Sequence, residues 1–328
     1  MTEATREANR LATVFGGSGC LGRHIVRALV HRGWRVRVAV RRPDLAAFLQ
    51  PIGGVGQIQP VQANLRFPDS IAAAIEGASA VVNATGVKAE SGAHTYASVH
   101  VEGAAALAKA ASAARMSTYV HISGIGADPN SASPYIASKG LGEKATRDAF
   151  PNAVVMRPSV VFGPEDDFFN RFASLARLLP ALPLIGGGHT LFQPVFAGDV
   201  ATAIVGAIEG QARPGTVYEA GGPEVKSFRE LMRFVLVAIE RKRLLIHVPF
   251  ALARLQASLL QLLPKPLLTT DQVELLRSDN VVSEQARQEG RTLAAFGIEP
   301  LTIEAVVPSY LWRFRKAGQF TRPMSENR

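Results

Sequence analysis

Leu11 to Phe15, five residues suited to a strand, lead into a glycine-dense turn, after which Leu21, Ile25, Ala28 and Leu29 recur at helical spacing. This predicts strand, turn and amphipathic helix. The alternation then repeats. WRVRVAV (34–40) alternates apolar and basic residues as a strand does, and QIQPVQAN (57–64), SAVVNATG (79–86) and STYVHISG (117–124) are short apolar runs. Between them the spacing predicts a helix near 69–76 and a long alanine-rich helix through 101–115. Strand and helix in repeated alternation predict an α/β fold: a doubly wound parallel sheet covered on both faces. NAVVMRPSVVFGPEDD (152–167) adds one more strand. The expected division is a dinucleotide-binding domain over 1–165, to which later segments can add strands, and a smaller, mainly helical part over 166–328.

The C-terminal third is harder to read. FRELMRFVLVAIERKR (228–243) reads as an amphipathic helix and HVPFALARLQASLLQLL (247–263) as a second, strongly apolar one. Core packing and a docking surface are both open for this pair. The end, from residue 310 to 328, mixes Tyr310, Trp312 and Phe314 with Arg313, Arg315 and Lys316. That composition suits an interfacial anchor or a contact with an acidic neighbour, and equally a solvated tail.

At 328 residues the chain is long enough for two domains, or for one large α/β unit with an appendage. The single cysteine, Cys20, excludes a disulfide framework and points to a reducing compartment. The formal net charge of +9 raises the question of nucleic acid, but the basic residues are dispersed and not interleaved with aromatics on one face. Nucleic acid is therefore not expected. A phosphorylated cofactor, an acidic protein or an anionic membrane surface would use the same charge. MTEATREANR lacks an apolar core and carries two Glu residues, so no signal or transit peptide is expected. The longest apolar run, 244–268, is broken by His247, Pro249, Arg254, Pro264 and Lys265, which excludes a membrane span there.

The chemistry starts at the first turn. Gly17-x-Gly19-x-x-Gly22 is a dinucleotide fingerprint, and Gly16-x-x-Gly19-x-x-Gly22 its looser form. Glycines there make the turn tight, let backbone N–H groups reach a pyrophosphate, and let the helix pack on its strand. Gly16, Gly17, Ser18, Gly19, Cys20, Leu21 and Gly22 are thus expected to line the cofactor. Arg41 and Arg42 follow the second strand, where a carboxylate would bind the ribose of NAD and an arginine accommodates the extra phosphate of NADP. NADPH is the expected cofactor. Asn64, past the third strand, can hydrogen-bond adenine, and Ala84, Thr85 and Gly86 let the backbone pass close to the cofactor. No metal is assigned.

Ser123 ends the fifth strand, and Tyr135 and Lys139 share a face of the next helix at i, i+4. A phenol titrates near 10, and an adjacent ammonium favours its phenolate. Lys139 is expected to supply that charge, Ser123 to bond a substrate carbonyl, and Tyr135 to relay the proton that accompanies hydride transfer.

With the glycine turn and the strand-end serine, Tyr135-x-x-x-Lys139 resembles the short-chain dehydrogenase/reductases, and Arg157-Pro158 followed by Phe162-Gly163-Pro164 resembles their extended or atypical branch. VVFGPEDDFFNRFA (160–173), LPLIGGGHTLFQPVFAGDVATAI (182–204), LLTTDQVELLRSDN (267–280) and FGIEPLTIEAV (296–306) narrow this further. Over nearly its whole length the chain is similar to the NADPH-binding accessory subunit family of respiratory complex I in its bacterial form. The resemblance implies a Rossmann-like sheet, tightly held NADPH with Pro158 beside it, and a structural or assembly role among other complex I subunits. It also implies a peripheral place on the cytoplasmic face of the inner membrane. His100 stands where extended reductases usually have an Asn that completes a proton relay, and Asn64 where an Asp is more usual. Two other classes stay open: an active NADP-dependent reductase or epimerase, and an NADP(H)-binding redox sensor.

Overall fold

The structure is a computed structural model and describes residues 10–260 and 268–317. The N-terminal segment read for targeting, the end of the second apolar helix with Pro264 and Lys265, and the tail beyond Lys316–Ala317 lie outside the described residues.

Two compact units divide the chain, and they interleave in sequence where a single division at 165 was expected. The first holds 1–159, 197–221 and 282–300; the second holds 160–196, 222–281 and 301–328.

The first unit contains the sheet. Its strands are β1 (Leu11–Phe15), β2 (Arg35–Val40), β3 (Ile58–Gln62), β4 (Ala80–Asn83), β5 (Thr118–Ile122) and β6 (Val154–Pro158). β7 (Val161–Phe162), β8 (Ala181–Ile185), β9 (Leu191–Phe192) and β10 (Val195–Phe196) belong to the second unit, after which β11 (Val217–Ala220) returns to the first. The order is β11-β6-β5-β4-β1-β2-β3, with every pairing parallel. The strand order reverses between β1 and β4, and the carboxyl edge at such a reversal is where open α/β sheets bind ligands. β11 is the strand that periodicity did not reveal: VYEA is too short to separate from a turn, and its pairing with β6 fixes it.

The helices of this unit are α1 (Cys20–His31), α2 (Pro68–Ile75), α3 (Gly103–Ala113), α4 (Pro134–Ala149) and, after α5 (Phe168–Leu178) of the second unit, α6 (Ala197–Ile208). α1 packs on α6, while α3 lies between α2 and α4. Sheet residues Ala12, Val14, Val36, Val38, Val81, Val82 and Val120 are buried, as strands covered on both faces require. The predicted helix from 101 instead begins as a π-helical segment, Ala97–Glu102, before α3.

The second unit has its own core of Phe162, Phe169, Leu182, Leu184, Phe228, Leu231, Met232, Val235, Val307 and Leu311, threaded by edge-to-face phenylalanine contacts. The two apolar helices separate in fate. α7 (Phe228–Ala238) turns its stripe into this core and is capped by Ser227 and Glu230 in a reciprocal capping box. His247 and Val248 belong not to the second helix but to β13 (Leu244–Val248), paired parallel with β8; β12 (Lys226–Ser227) pairs with β9. The helix itself, α8 (Phe250–Leu260), buries Ala253 and Ala257 and leaves Leu252, Leu255 and Leu259 exposed. Its apolar face is therefore not core.

The aromatic-basic end is also changed by the structure. Tyr310 is buried and donates its hydroxyl to Asp166, whose carboxyl also accepts from the Gly163 and Asn170 N–H groups. Arg313 bonds Asn170, and Arg315 pairs with Glu240 at 2.9 Å. Tyr310 thus belongs to the core of the second unit, while Trp312 and Arg313 stay exposed.

Candidate active and cofactor site

Four glycines build the β1–α1 turn, and the structure gives them unequal tasks. Gly16 has φ +76°, and a Cβ on it would lie 2.7 Å from the Ala84 carbonyl oxygen. A Cβ on Gly17 would meet Val38 at 2.9 Å, and one on Gly22 would lie 2.2 Å from the Gly16 oxygen. These three are required by the protein's own packing. Gly19 is different: a Cβ there would meet only the Gly16 oxygen, at 3.3 Å, and its φ −72°, ψ 175° is open to any residue. Backbone strain does not require a glycine there, and a ligand lying close to the backbone would. Gly19 is also the N-cap of α1, with no side-chain cap and no acidic residue in the first turn, so the positive end of the helix faces outward from the sheet edge. Ser18 accepts from Arg23 through its carbonyl, and Cys20 and Leu21 are half-buried.

Across the switch point, Ala84, Thr85 and Gly86 pass beside this turn, as the Gly16–Ala84 approach records. Asn83 holds them: its Oδ1 accepts from the Thr85 N–H and hydroxyl, and its Nδ2 donates to His121 Nδ1 at 3.3 Å. Both Asn83 and His121 are buried, and they are register partners on β4 and β5. Pro158 ends β6, its carbonyl accepting from Ile125. Asn64 accepts from the Arg66 N–H through Oδ1, which leaves its amide nitrogen for an adenine. Arg41 and Arg42 diverge. Arg42 is tied to Asp44 at 2.8 Å, whereas Arg41 donates to His94 Nε2 at 2.7 Å.

The structure brings Tyr135, Lys139, His100 and Gly86 together. The His100 and Tyr135 rings meet edge to face at 5.7 Å, and a Cβ on Gly86 would lie 3.4 Å from Lys139 Nζ and 3.6 Å from His100 Nε2. Helix α4 approaches the π-helical segment so closely that a Cβ on Gly142 would lie 2.1 Å from the His100 carbonyl oxygen. Ser123, one residue past β5, is buried, and its Oγ has no hydrogen-bond partner among the described residues. An orphaned buried hydroxyl at a strand's carboxyl end, an uncapped helix start and a glycine whose side-chain space the fold does not use together fit a dinucleotide. Gly16 to Gly22 would hold its pyrophosphate, and Ser123, Tyr135 and Lys139 would face its reactive end.

The electrostatics differ from expectation. Burial pushes Tyr135 above its ordinary value and holds Lys139 down to about 8, against the opposing pull of Glu143. His100 is closed as a relay. The Ser138 hydroxyl donates to the Tyr135 carbonyl at 2.7 Å, so it must accept from His100 Nδ1–H at 2.8 Å. His100 Nε2 accepts from the Val87 N–H at 2.9 Å. The imidazole is neutral with both nitrogens engaged, and burial followed by the Lys139 charge holds it at about 3. Ser138 and His121 escaped the sequence reading, since nothing in their spacing distinguishes them from ordinary helix and strand residues.

One prediction follows from these histidines. Burial, with Lys139 and His100 behind it, also holds His121 at about 3. In an unfolded chain both would titrate near 6.5. Between those values the unfolded state binds more protons, so the stability they allow is present above about pH 6.5 and is lost as pH falls toward 3. Each contributes up to about 1.4 kcal/mol per pH unit to that loss. Urea unfolding at pH 6.5, 5.5 and 4.5 should show the His100→Asn variant losing less stability than the parent across the series. Parallel slopes would mean that His100 is protonated in the folded state.

Known proteins place these features in context. Residues 12–221 match the NAD dependent epimerase/dehydratase family. The chain is 32% identical over 321 residues to the mitochondrial NADH dehydrogenase (ubiquinone) 1 alpha subcomplex subunit 9 of Arabidopsis thaliana, covering 94% of this chain and 79% of that one. It is 30% identical to the protein of the same name in Mus musculus, covering 93% and 80%. Its fold matches that of dTDP-glucose 4,6-dehydratase from Bacillus anthracis in complex with NAD, at TM-score 0.68 and 17% identity, over 93% of this chain and 96% of that one.

Proposed function

We propose, from the premise that this chain belongs to the NAD dependent epimerase/dehydratase family, that it is an NADPH-binding accessory subunit of respiratory complex I with a structural or assembly role. The observation that carries this is the near-full-length similarity to two proteins named as NADH dehydrogenase (ubiquinone) subunits, at 30% identity or more. The similarity runs through both units and is not confined to the nucleotide-binding motif. A nicotinamide dinucleotide fits the family and the β1–α1 turn. The finer choice of NADPH rests on Arg41 and on Arg37–Arg42 lacking any carboxylate where one would select NAD.

Bound NADPH would supply hydride chemistry, yet this chain's own groups are arranged more for holding than for turnover. His100 has both nitrogens engaged, by the Val87 N–H and by Ser138, which supports holding over proton relay. A ligand that binds only the native state stabilises it by RT ln(1 + [L]/Kd), about 4 kcal/mol at a thousandfold excess over Kd. That is enough to make cofactor loading a condition of assembly. The second reading, an active reductase or epimerase, is favoured by the chain carrying Ser123 one residue past β5 and Tyr135 and Lys139 one turn apart on α4.

No helix among the described residues is long and apolar enough to cross a membrane. The exposed stripe Leu252, Leu255 and Leu259 on α8, with Arg254 on the same helix, supports a peripheral place at an anionic surface beside other complex I subunits; the cytoplasmic face is what the family resemblance implies.

Blue-native electrophoresis of solubilised membranes, probed for this chain, tests the reading. The chain should migrate with NADH:quinone reductase activity. Gly19→Val should fold, because its backbone conformation is ordinary, but should fail to keep the dinucleotide and should reduce the assembled complex severalfold. Tyr135→Phe should leave assembly and quinone reduction within about twofold of normal. A chain that migrates alone, or a Tyr135→Phe phenotype stronger than that of Gly19→Val, would replace the scaffold with the enzyme.

A further inference from the structure

Loops that follow β2, β3 and β4 bring charged side chains to one exposed point of the first unit. Arg41 directly follows β2, Arg66 lies just past β3, and His94 comes from the segment after β4. Arg41 Nη1 donates to His94 Nε2 at 2.7 Å across 53 residues of chain. His94 is fixed from behind by a reciprocal backbone bridge to Ser91, with bonds of 3.0 and 3.1 Å. Arg66 is fixed by its N–H bond to Asn64 Oδ1 at 3.1 Å, and its guanidinium lies 5.4 Å from the Phe67 ring.

The charge around this point is one-sided. Desolvation first, and then the charges of Arg41 and Arg66, both cationic, lower the affinity of His94 for a proton. The nearby acids are occupied elsewhere: Asp44 holds Arg42, and Glu90 accepts from the Tyr96 N–H at 2.7 Å. A neutral imidazole accepting from an arginine, beside a second arginine and with no carboxylate between, is an arrangement that a dianion would complete. Such a dianion would take the Arg41 N–H bond for itself and give His94 Nε2 a reason to carry a proton.

We propose that Arg41, Arg66 and His94 together form the seat of the 2′-phosphate of NADP(H), and that His94 takes one proton from solvent onto Nε2 as the phosphate binds. This rests on the reading that the chain binds NADP(H). Affinity for NADP(H) then depends on pH through a residue of the seat, and NADH, which lacks the 2′-phosphate, is blind to it. Arg42, whose guanidinium is paired with Asp44 at 2.8 Å, is not part of the Arg41–His94 contact.

Isothermal titration of the purified full-length chain with NADPH and with NADH tests this, run from pH 7.0 to 8.5 in two buffers of different ionisation enthalpy. In that range a phosphate monoester, with its second pKa near 6, is already the dianion, so any uptake belongs to the protein. NADPH binding should take up about half a proton or more at pH 7.0 and should weaken severalfold by pH 8.5, while NADH binding stays level. His94→Asn should keep the preference for NADPH, carried by Arg41 and Arg66, and lose the proton uptake. Arg66→Gln should weaken NADPH and leave NADH unchanged, a control independent of His94. Proton uptake that persists in His94→Asn, or NADPH affinity that is level with pH in the parent, would overturn the proposal alone. A parent chain that prefers NADH or binds neither would overturn the NADP(H) reading and the seat with it.

Discussion

Replacing Gly22 with valine is expected to cost at least about 3 kcal/mol of stability, the upper end of what forced overpacking costs, and to abolish dinucleotide retention. The physical cause is specific. A Cβ at this position would lie 2.2 Å from the Gly16 carbonyl oxygen and 2.7 Å from the Gly17 Cα, both backbone atoms that no side-chain rotation can move. The helix start would have to lift off the turn. Gly16 itself is wedged against Ala84, so the lift would spread to the β4 loop that lines the same edge. Since a domain's net stability is about 5–15 kcal/mol, the change is large. Urea unfolding and analysis of the dinucleotide released on denaturation measure both effects. An unfolding midpoint equal to the parent's would show that the turn has another way to pack. The contrast with Gly19→Val, which should lose the ligand and keep the fold, separates packing glycines from the ligand-facing one.

Arg157→Met should be nearly as severe, by about 3–5 kcal/mol, because it leaves buried carboxylates without their cation. Arg157 forks onto Glu143 through bonds of 2.8 and 2.6 Å and reaches Glu219 at 3.9 Å. The Glu143 and Glu219 side chains are only 6% and 8% exposed, so water cannot replace the guanidinium. Glu219 has the Ser283 N–H as a further partner; Glu143 sits one helical turn beyond Lys139 and supports its charge. The loss should therefore show in stability and in the site together. Adding Glu143→Leu to Arg157→Met should recover part of the lost stability, since it removes the stranded charge, and a double-mutant cycle would read the coupling. A single variant within about 0.5 kcal/mol of the parent would mean that the pair is solvated.

Several readings of the sequence proved to be about local order, and there they were sound. The β1–α1 turn, the strand after it, the alternation that builds the sheet and the Tyr135–Lys139 helix were legible because each depends on residues within a few positions of one another. The near-full-length resemblance was legible for a different reason: segments such as FGPEDDFFNRFA are long enough to be distinctive. Asp166 in that segment now has a physical task, as the acceptor for Tyr310 and for the Gly163 and Asn170 N–H groups. Deleting the chain from Tyr310 would therefore remove core side chains, and a truncation meant to probe the tail has to begin after Ala317.

What the sequence determined alone is the alternation of the first six strands with their helices, the glycine-rich β1–α1 turn and the family. Hydrophobic period and glycine spacing are local signals, and local signals survive in one dimension. What only the tertiary structure decided is which side chains meet. The last sheet strand joins from residue 217, Arg41 turns to His94 while Arg42 is spent on Asp44, and His100 has both nitrogens engaged by Ser138 and the Val87 N–H. A polar side chain is chemically compatible with many partners, and the choice among them is made by backbone segments brought together from distant parts of the chain, which no spacing along it records.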